Sequence, residues 1–127
     1  MFSSFTKQKL LGWFLCGAAY TPATTYWVKL HTGNPGPAGT ANAIASGSGY
    51  LPVSGTFTLS GDDAQNTSAI TFGAATAALG TVTYFSVWDA SSGGNFIGSA
   101  ELLAPFSYAV GIIPRFIAGA LKMRIND

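Results

Sequence analysis

The residues able to do chemistry are few and scattered. The 127 residues include one histidine, one cysteine and five carboxylates. One histidine and one cysteine cannot supply the nitrogen and sulfur ligands of a usual zinc site. A single cysteine forms no internal disulfide. Asp62-Asp63 is the one adjacent carboxylate pair, in Ser60-Gly-Asp-Asp-Ala64 between two apolar runs. Neighbours on a strand point to opposite faces, which spoils the pair for joint acid–base work. The expectation there is a turn held by aspartate hydrogen bonds to the backbone. Asp89-Ala-Ser-Ser-Gly-Gly-Asn95 spaces oxygen-bearing side chains as a calcium loop does, but its fifth and twelfth positions are Gly93 and Ala100. A hairpin loop with positive φ at Gly93 or Gly94 explains the same residues.

The remaining reactive groups read as structural. His31 ends a strand run beside Thr32, Gly33 and Asn34, with no acid near it in sequence. A hydrogen-bonded histidine that shapes the loop is expected, rather than a catalytic base. Cys16 lies in an apolar run and reads as a small buried hydrophobe. Asn66-Thr-Ser68 matches a glycosylation acceptor in form, which matters only for a secreted eukaryotic chain. Sequences for a nucleophile elbow, a dinucleotide loop or a phosphate loop do not occur. No catalytic residues, metal site or cofactor are expected.

Composition narrows the partners. Hydrophobic residues make up 48% of the chain and charged residues 9%, with a formal net charge of +1. Ordinary soluble domains carry roughly 25% charged residues. So few cations cannot neutralise many phosphates, so no nucleic-acid partner is expected. Low net charge also gives weak colloidal repulsion, which suits a subunit packed against copies of itself or a larger body.

The elements that must position these residues begin with a helix. Two lysines, Lys7 and Lys9, precede an apolar run from Leu10 to Ala19. A secretory leader has this form, but no A-x-A cleavage site follows, and a retained helix is expected over residues 1–21. Ser3 or Ser4 would cap it and Pro22 would stop it. About ten apolar residues fall short of the roughly 20 that span a bilayer, so no membrane insertion is expected. Apolar residues surround the helix after Leu10, which predicts burial in the core or under a neighbour.

The rest reads as strands. Tyr26–Leu30, Tyr50–Ser60, Thr67–Phe72, Thr81–Asp89, Phe96–Leu103, Phe106–Val110, Arg115–Ile117 and Ala120–Asn126 are the candidate runs. Thr81–Asp89 carries large groups on both faces and is expected to be central. In the last run Leu121, Met123 and Ile125 are expected to face in, with Lys122, Arg124 and Asn126 facing out. The Gly- and Pro-rich stretch from His31 to Ala43 predicts a long loop, with His31, Asn34 and Asn42 as candidate exposed positions. Its glycines at every third place are too few for a collagen register. Short strands about 8–12 residues apart suggest a mainly β fold: an antiparallel β-sandwich or jelly-roll-like domain over 24–127, preceded by one N-terminal α-helix. No composition break marks a second domain within 1–127.

Aromatic residues crowd the first quarter of the chain: Phe2, Phe5, Trp13, Phe14, Tyr20, Tyr26 and Trp27. A domain this small cannot bury all its apolar area within itself, and aromatic anchors favour interfaces. Phe2, Phe5, Leu10, Trp13 and Phe14 are therefore the candidate subunit interface. Deleting residues 2–19 is expected to abolish assembly and leave a soluble β domain.

An ordered set of short segments carries a family resemblance. It comprises Leu10-Leu11, Gly17-Ala-Ala-Tyr-Thr-Pro-Ala23, Tyr26-Trp-Val-Lys-Leu-His-Thr32, Asn34-Pro-Gly36, Gly39-Thr-Ala-Asn42 and Ser46-Gly-Ser-Gly-Tyr50. Ile70-Thr-Phe72, Gly80–Asp89, Gly93-Gly-Asn95, Gly111 and Ala118-Gly-Ala-Leu121 continue it. The set resembles a family of small bacteriophage proteins usually labelled phage tail fibre proteins, some of them head-decoration or minor structural proteins. Leu51-Pro52 departs from it, since members commonly place a small and a basic residue there. Proline removes a ladder donor from that strand edge.

The resemblance implies a non-enzymatic virion structural subunit, and it transfers no catalytic residues. The expected partners are other copies of the chain and phage structural proteins, either major capsid protein or tail proteins. Capsid decoration is the leading expectation. The alternative is a tail or tail-fibre-associated subunit, with a receptor- or carbohydrate-binding module as a variant that would contact a host surface glycan. A cell-wall hydrolase fits poorly, for want of an acid–base pair.

Overall fold

Two runs of alternating large residues build the main sheet. A computed structural model describes residues 1–125. In it β1 (Tyr26–His31) pairs antiparallel with β6 (Thr81–Trp88), placing Val28 opposite Val87 and Leu30 opposite Phe85. All four side chains are buried on one face of the sheet. β2 (Val53–Gly55) flanks β1, and β7 (Phe96–Ser107) flanks β6, so the order is β2-β1-β6-β7 and β6 is central as its sequence predicts.

Two smaller sheets complete the fold: β3 (Phe57–Ser60), β4 (Asp63–Asn66) and β9 (Lys122–Arg124) form one, and β5 (Ile70–Thr71) with β8 (Arg115–Phe116) the other. They and their connections bring Ile70, Phe72, Tyr108, Leu121 and Met123 into the same core as Val28, Leu30 and Phe85. The architecture is mainly β with one N-terminal helix and several antiparallel sheets, consistent with a β-sandwich. Each fully buried Val, Leu or Phe contributes about 1.5–3 kcal/mol.

Several strands differ from their sequence expectation. The run Tyr50–Ser60 breaks at Thr56, and its halves join different sheets. Pro52, without a backbone donor, precedes β2 at the sheet's free edge, where the loss is tolerated. The runs at Phe96 and Phe106 are one strand, with an irregular register between Val82 and Tyr84 of β6 that takes up Leu102–Pro105. β4 was not expected. Ile125 is exposed rather than inward-facing, because β9 ends at Arg124 and the alternation ends with it. Asn126 lies outside the described residues.

Tyr50 closes the gap where β2 stops. Pairing of β2 with β1 ends at Val28, and beyond it the Leu30 N–H donates to the Tyr50 hydroxyl at 3.0 Å. Burial pushes the Tyr50 phenol up to about 12, against a smaller lowering by the Leu30 N–H.

The helix α1 (Ser4–Cys16) is tied to the sheet by the residues before it. Met1–Ser3 run antiparallel to the start of β7, with Ser3 N–H donating to the Ile97 carbonyl at 2.8 Å and Ser99 N–H to the Met1 carbonyl at 2.7 Å. This short ladder covers the outer edge of β7, which would otherwise be open to strand pairing. Ser3 then caps the helix by accepting from Thr6 N–H at 3.2 Å. Gly17, left-handed at φ 66°, ends it five residues before the proline expected to do so.

Candidate functional site

The helix that should be covered is not. No residue of α1 is buried. Phe2, Phe5 and Leu10 are half-buried at its foot, while Trp13 and Phe14 face water. Of the five expected interface residues, the structure thus places three against the sheet and leaves two free. Phe14 is 72% and Leu15 78% exposed, a level that soluble surfaces show for isolated residues but rarely for neighbours. Burial within the chain's own core is therefore corrected. One side of α1 rests on β7, and its apolar residues continue round the other sides.

Two clefts flank the helix. One of about 520 Å³ lies between Met1, Phe2, Leu10, Leu11, Phe14 and Ile125. The other, about 200 Å³, is lined by Phe5, Trp13, Tyr20, Tyr26 and Ile97 among others. On that side the Lys9 ammonium sits 5.3 Å from the Tyr20 ring centroid and 5.7 Å from that of Phe5. Cys16, expected buried, is exposed at the helix end, because the helix projects beyond the sheet.

A second apolar surface escaped the sequence reading. The far half of β7 and the segment around β8 form a groove of about 530 Å³ lined by Leu103, Phe106, Ile112, Ile113 and Ile117 among others. Leu103 is 77% and Ile113 59% exposed. The signal was present in Gly111 and Pro114, which mark a turn segment, and in the adjacent Leu102 and Leu103, which a strand sends to opposite faces.

The loop candidates separate. Asn34 and Asn42 are exposed, with Asn42 Nδ2 donating to the Asn34 carbonyl at 3.0 Å and Asn34 Oδ1 accepting from Gly36 N–H at 2.9 Å. His31, expected with them, is wholly buried. It belongs to β1, on the sheet face opposite the main core, and the loop folds back over it. Ala41 carbonyl accepts from Nδ1 at 2.9 Å, so Nε2 accepts from the Ser86 hydroxyl at 2.7 Å. Ser86 Oγ in turn accepts from Trp88 Nε1 at 2.9 Å. The chain Trp88–Ser86–His31–Ala41 pins the loop to the sheet, as a loop-shaping histidine should. Gly39 lies so close above Phe96 that a Cβ there would stand 2.5 Å from the ring.

Burial lowers the His31 pKa below the usual 6.5, the Ala41 contact raises it less, and Lys29 lowers it further. The unfolded chain therefore takes up the proton first. His31's contribution to stability is full above about 6.5 and is lost as pH falls below it. The single histidine should titrate below 6.5 by proton NMR, with the melting temperature falling between pH 7 and 5. A titration at or above 6.5 would contradict the buried network.

The other groups singled out by sequence have structural partners. Asp62 is exposed in the turn, but Asp63 begins β4 and accepts from Arg124 Nε at 2.9 Å across the β4–β9 pair. Asp89 accepts from Asn95 N–H at 2.6 Å and Asn95 Nδ2 at 2.9 Å, closing the β6–β7 hairpin. Asn66 of the glycosylation-like triplet is 1% exposed, and its amide is spent on backbone carbonyls. Among the described residues no group of three His, Cys, Asp or Glu could hold a metal ion. No helix there is long and apolar enough to cross a membrane. What this surface can do is exclude water from a contact.

Two comparisons bear on the chain. None of the curated proteins matches it. Residues 1–124 match a family described as podophage GP4 fiber I protein gp80. That match spans the capping segment, α1, all nine strands and the apolar groove, so it covers both uncovered surfaces together with the sheet that holds them. By this match the chain belongs to the podophage GP4 fiber I protein gp80 family, a family of phage fibre-type structural proteins.

Proposed function

We propose that this chain is a non-enzymatic structural subunit of a podophage fibre, joined to neighbouring subunits through its uncovered apolar surfaces. The observation that carries the reading is α1: fixed to the sheet edge by Met1–Ser3, it leaves Leu11, Trp13, Phe14 and Leu15 in water. Such a cluster costs solubility in a chain of net charge +1 unless a neighbour covers it. The fibre description of the family favours a tail location, the alternative reading of the sequence, over capsid decoration, the leading one. A glycan-binding role finds less support. The polar atoms of Asn34 and Asn42 are engaged within the loop. The Trp88 ring is flanked by Phe96, at 5.3 Å between centroids, and by the Lys29 ammonium at 4.3 Å.

Image reconstruction of purified particles, with the chain labelled by a specific antibody fragment, tests the proposal. The label should fall on tail fibres, at a few to a few dozen copies per particle. Hundreds of copies over the capsid, or absence from finished particles, would overturn it. Variants that blunt α1 are better probes than removal of residues 2–19. That deletion would also strip Phe2 and Ser3 from the β7 edge.

A further inference from the structure

We propose that α1 of one copy of this chain docks into the β7–β8 groove of another copy. The inference rests on the fibre-subunit reading and names the partner. A chain's own helix is fixed at the first residues of β7, where Met1–Ser3 pair with residues 97–99. The groove is formed by the far half of the same strand and the segment through β8, and no residue of α1 lines it. Its own α1 therefore does not occupy it.

The two surfaces match in character. α1 is convex and the groove is concave. The stretch Leu10–Cys16 carries no charge, and Arg115, exposed, is the one charged residue lining the groove. Docking thus brings a single charged side chain, Arg115, to the contact. A helix apolar on all sides belongs under cover, and 13 residues held on one side gain little stability from propensity alone.

The areas also fit. A large side chain covers roughly 150–250 Å², so Leu11, Trp13, Phe14 and Leu15 leave on the order of 500 Å² in water. Leu103, Ile112, Ile113 and Ile117 leave a similar amount. A stable interface takes about 800 Å² from each partner. One surface alone falls short of that. A copy engaged through both its helix and its groove exceeds it, which favours helix-in-groove over helix-on-helix pairing. Two copies that exchange helices bury both surfaces within one interface, whereas a head-to-tail arrangement would form a ring or an open filament with one surface per contact.

The test uses full-length protein and two variants, Phe14→Asp on the helix and Ile113→Asp in the groove. Both positions are exposed, and unchanged thermal melting would show that the fold survives. Molar mass by light scattering at tens of micromolar should exceed the monomer for the native chain. Each variant should weaken self-association at least tenfold. Their equimolar mixture should associate more strongly than either variant alone, because the groove variant keeps its helix and the helix variant keeps its groove, which restores one of the two contacts. Self-association of either variant alone at native strength, no gain in association on mixing, or a monomeric native chain would each overturn the inference. A monomeric native chain that still labels tail fibres would remove the inference and leave the fibre-subunit reading standing.

Discussion

Replacing Asn66 by alanine should lower the free energy of unfolding by about 2–4 kcal/mol, a large part of what a small domain has. The side chain is 1% exposed at the end of β4. Its Nδ2 donates to the carbonyls of Ser68 and Ile117, each at 2.9 Å, and its Oδ1 accepts from Leu121 N–H at 3.0 Å. Its backbone repeats the connection, since Asn66 N–H donates to Leu121 and Gly119 N–H donates to Asn66. One amide therefore joins β4 to the turn that leads from β8 into β9. Alanine leaves the buried Leu121 N–H without its acceptor, at about 1–3 kcal/mol, and removes the hydrogen bonds to the Ser68 and Ile117 carbonyls, of which Ile117 keeps Ala120 N–H. Urea unfolding followed by tryptophan fluorescence reads the loss as a lower midpoint at unchanged slope. A loss under about 1 kcal/mol would mean that water substitutes for the amide and that the staple is not what holds these strands.

Gly49→Ala should cost about as much, through the backbone instead of hydrogen bonds. Gly49 has φ +85°, and a Cβ on it would lie 1.9 Å from the Ala74 carbonyl oxygen. The turn from Gly47 to Tyr50, closed by paired hydrogen bonds of 2.9 Å, crosses the 73–76 segment here, where Thr76 N–H donates to Ser48. A methyl group forces the two backbones apart and also demands a conformation that alanine avoids, for a combined cost of about 3 kcal/mol or more. The displacement reaches Tyr50, the next residue. Its ring stacks on Phe72 at 5.9 Å, and its hydroxyl satisfies Leu30. Thermal melting by circular dichroism should show a fall of many degrees or a failure to accumulate folded protein. A native melting temperature would show that the crossing has room to relax.

Local pattern carried much of this fold into the sequence. Strand-favouring residues in Tyr26–Leu30 and the alternation in Thr81–Asp89 are properties of neighbouring residues, and they located β1 and the central β6. Ser3, Pro22 and the apolar run announced a helix, although left-handed Gly17 ended it first. The Gly93-Gly94 hairpin and the loop-shaping role of His31 were legible for the same reason: turn and strand chemistry act over a few residues. β4 was not legible. Asp-Ala-Gln-Asn has no strand character of its own, and it is a strand because β3 and β9 lie on either side of it.

Chemistry and placement divide along the same line. Composition by itself determined that this chain has a single thiol and a single imidazole, and that it holds more apolar surface than so small a body can hide. Only the tertiary structure decided which surface stays outside. Hydrophobicity sets how strongly a side chain avoids water but not in which direction cover lies. Met1–Ser3 pair with β7 and so hold α1 at the sheet's edge, where one side of it finds contact. Neighbours on a strand point to opposite faces, so Leu103 of β7 stays outside where Leu102 is inside, and Ile113 lies in the segment after the Gly111 turn. His31, polar and set in a loop-rich stretch, went inside because Ser86 and Ala41, far from it in sequence or across the loop, satisfy both its nitrogens.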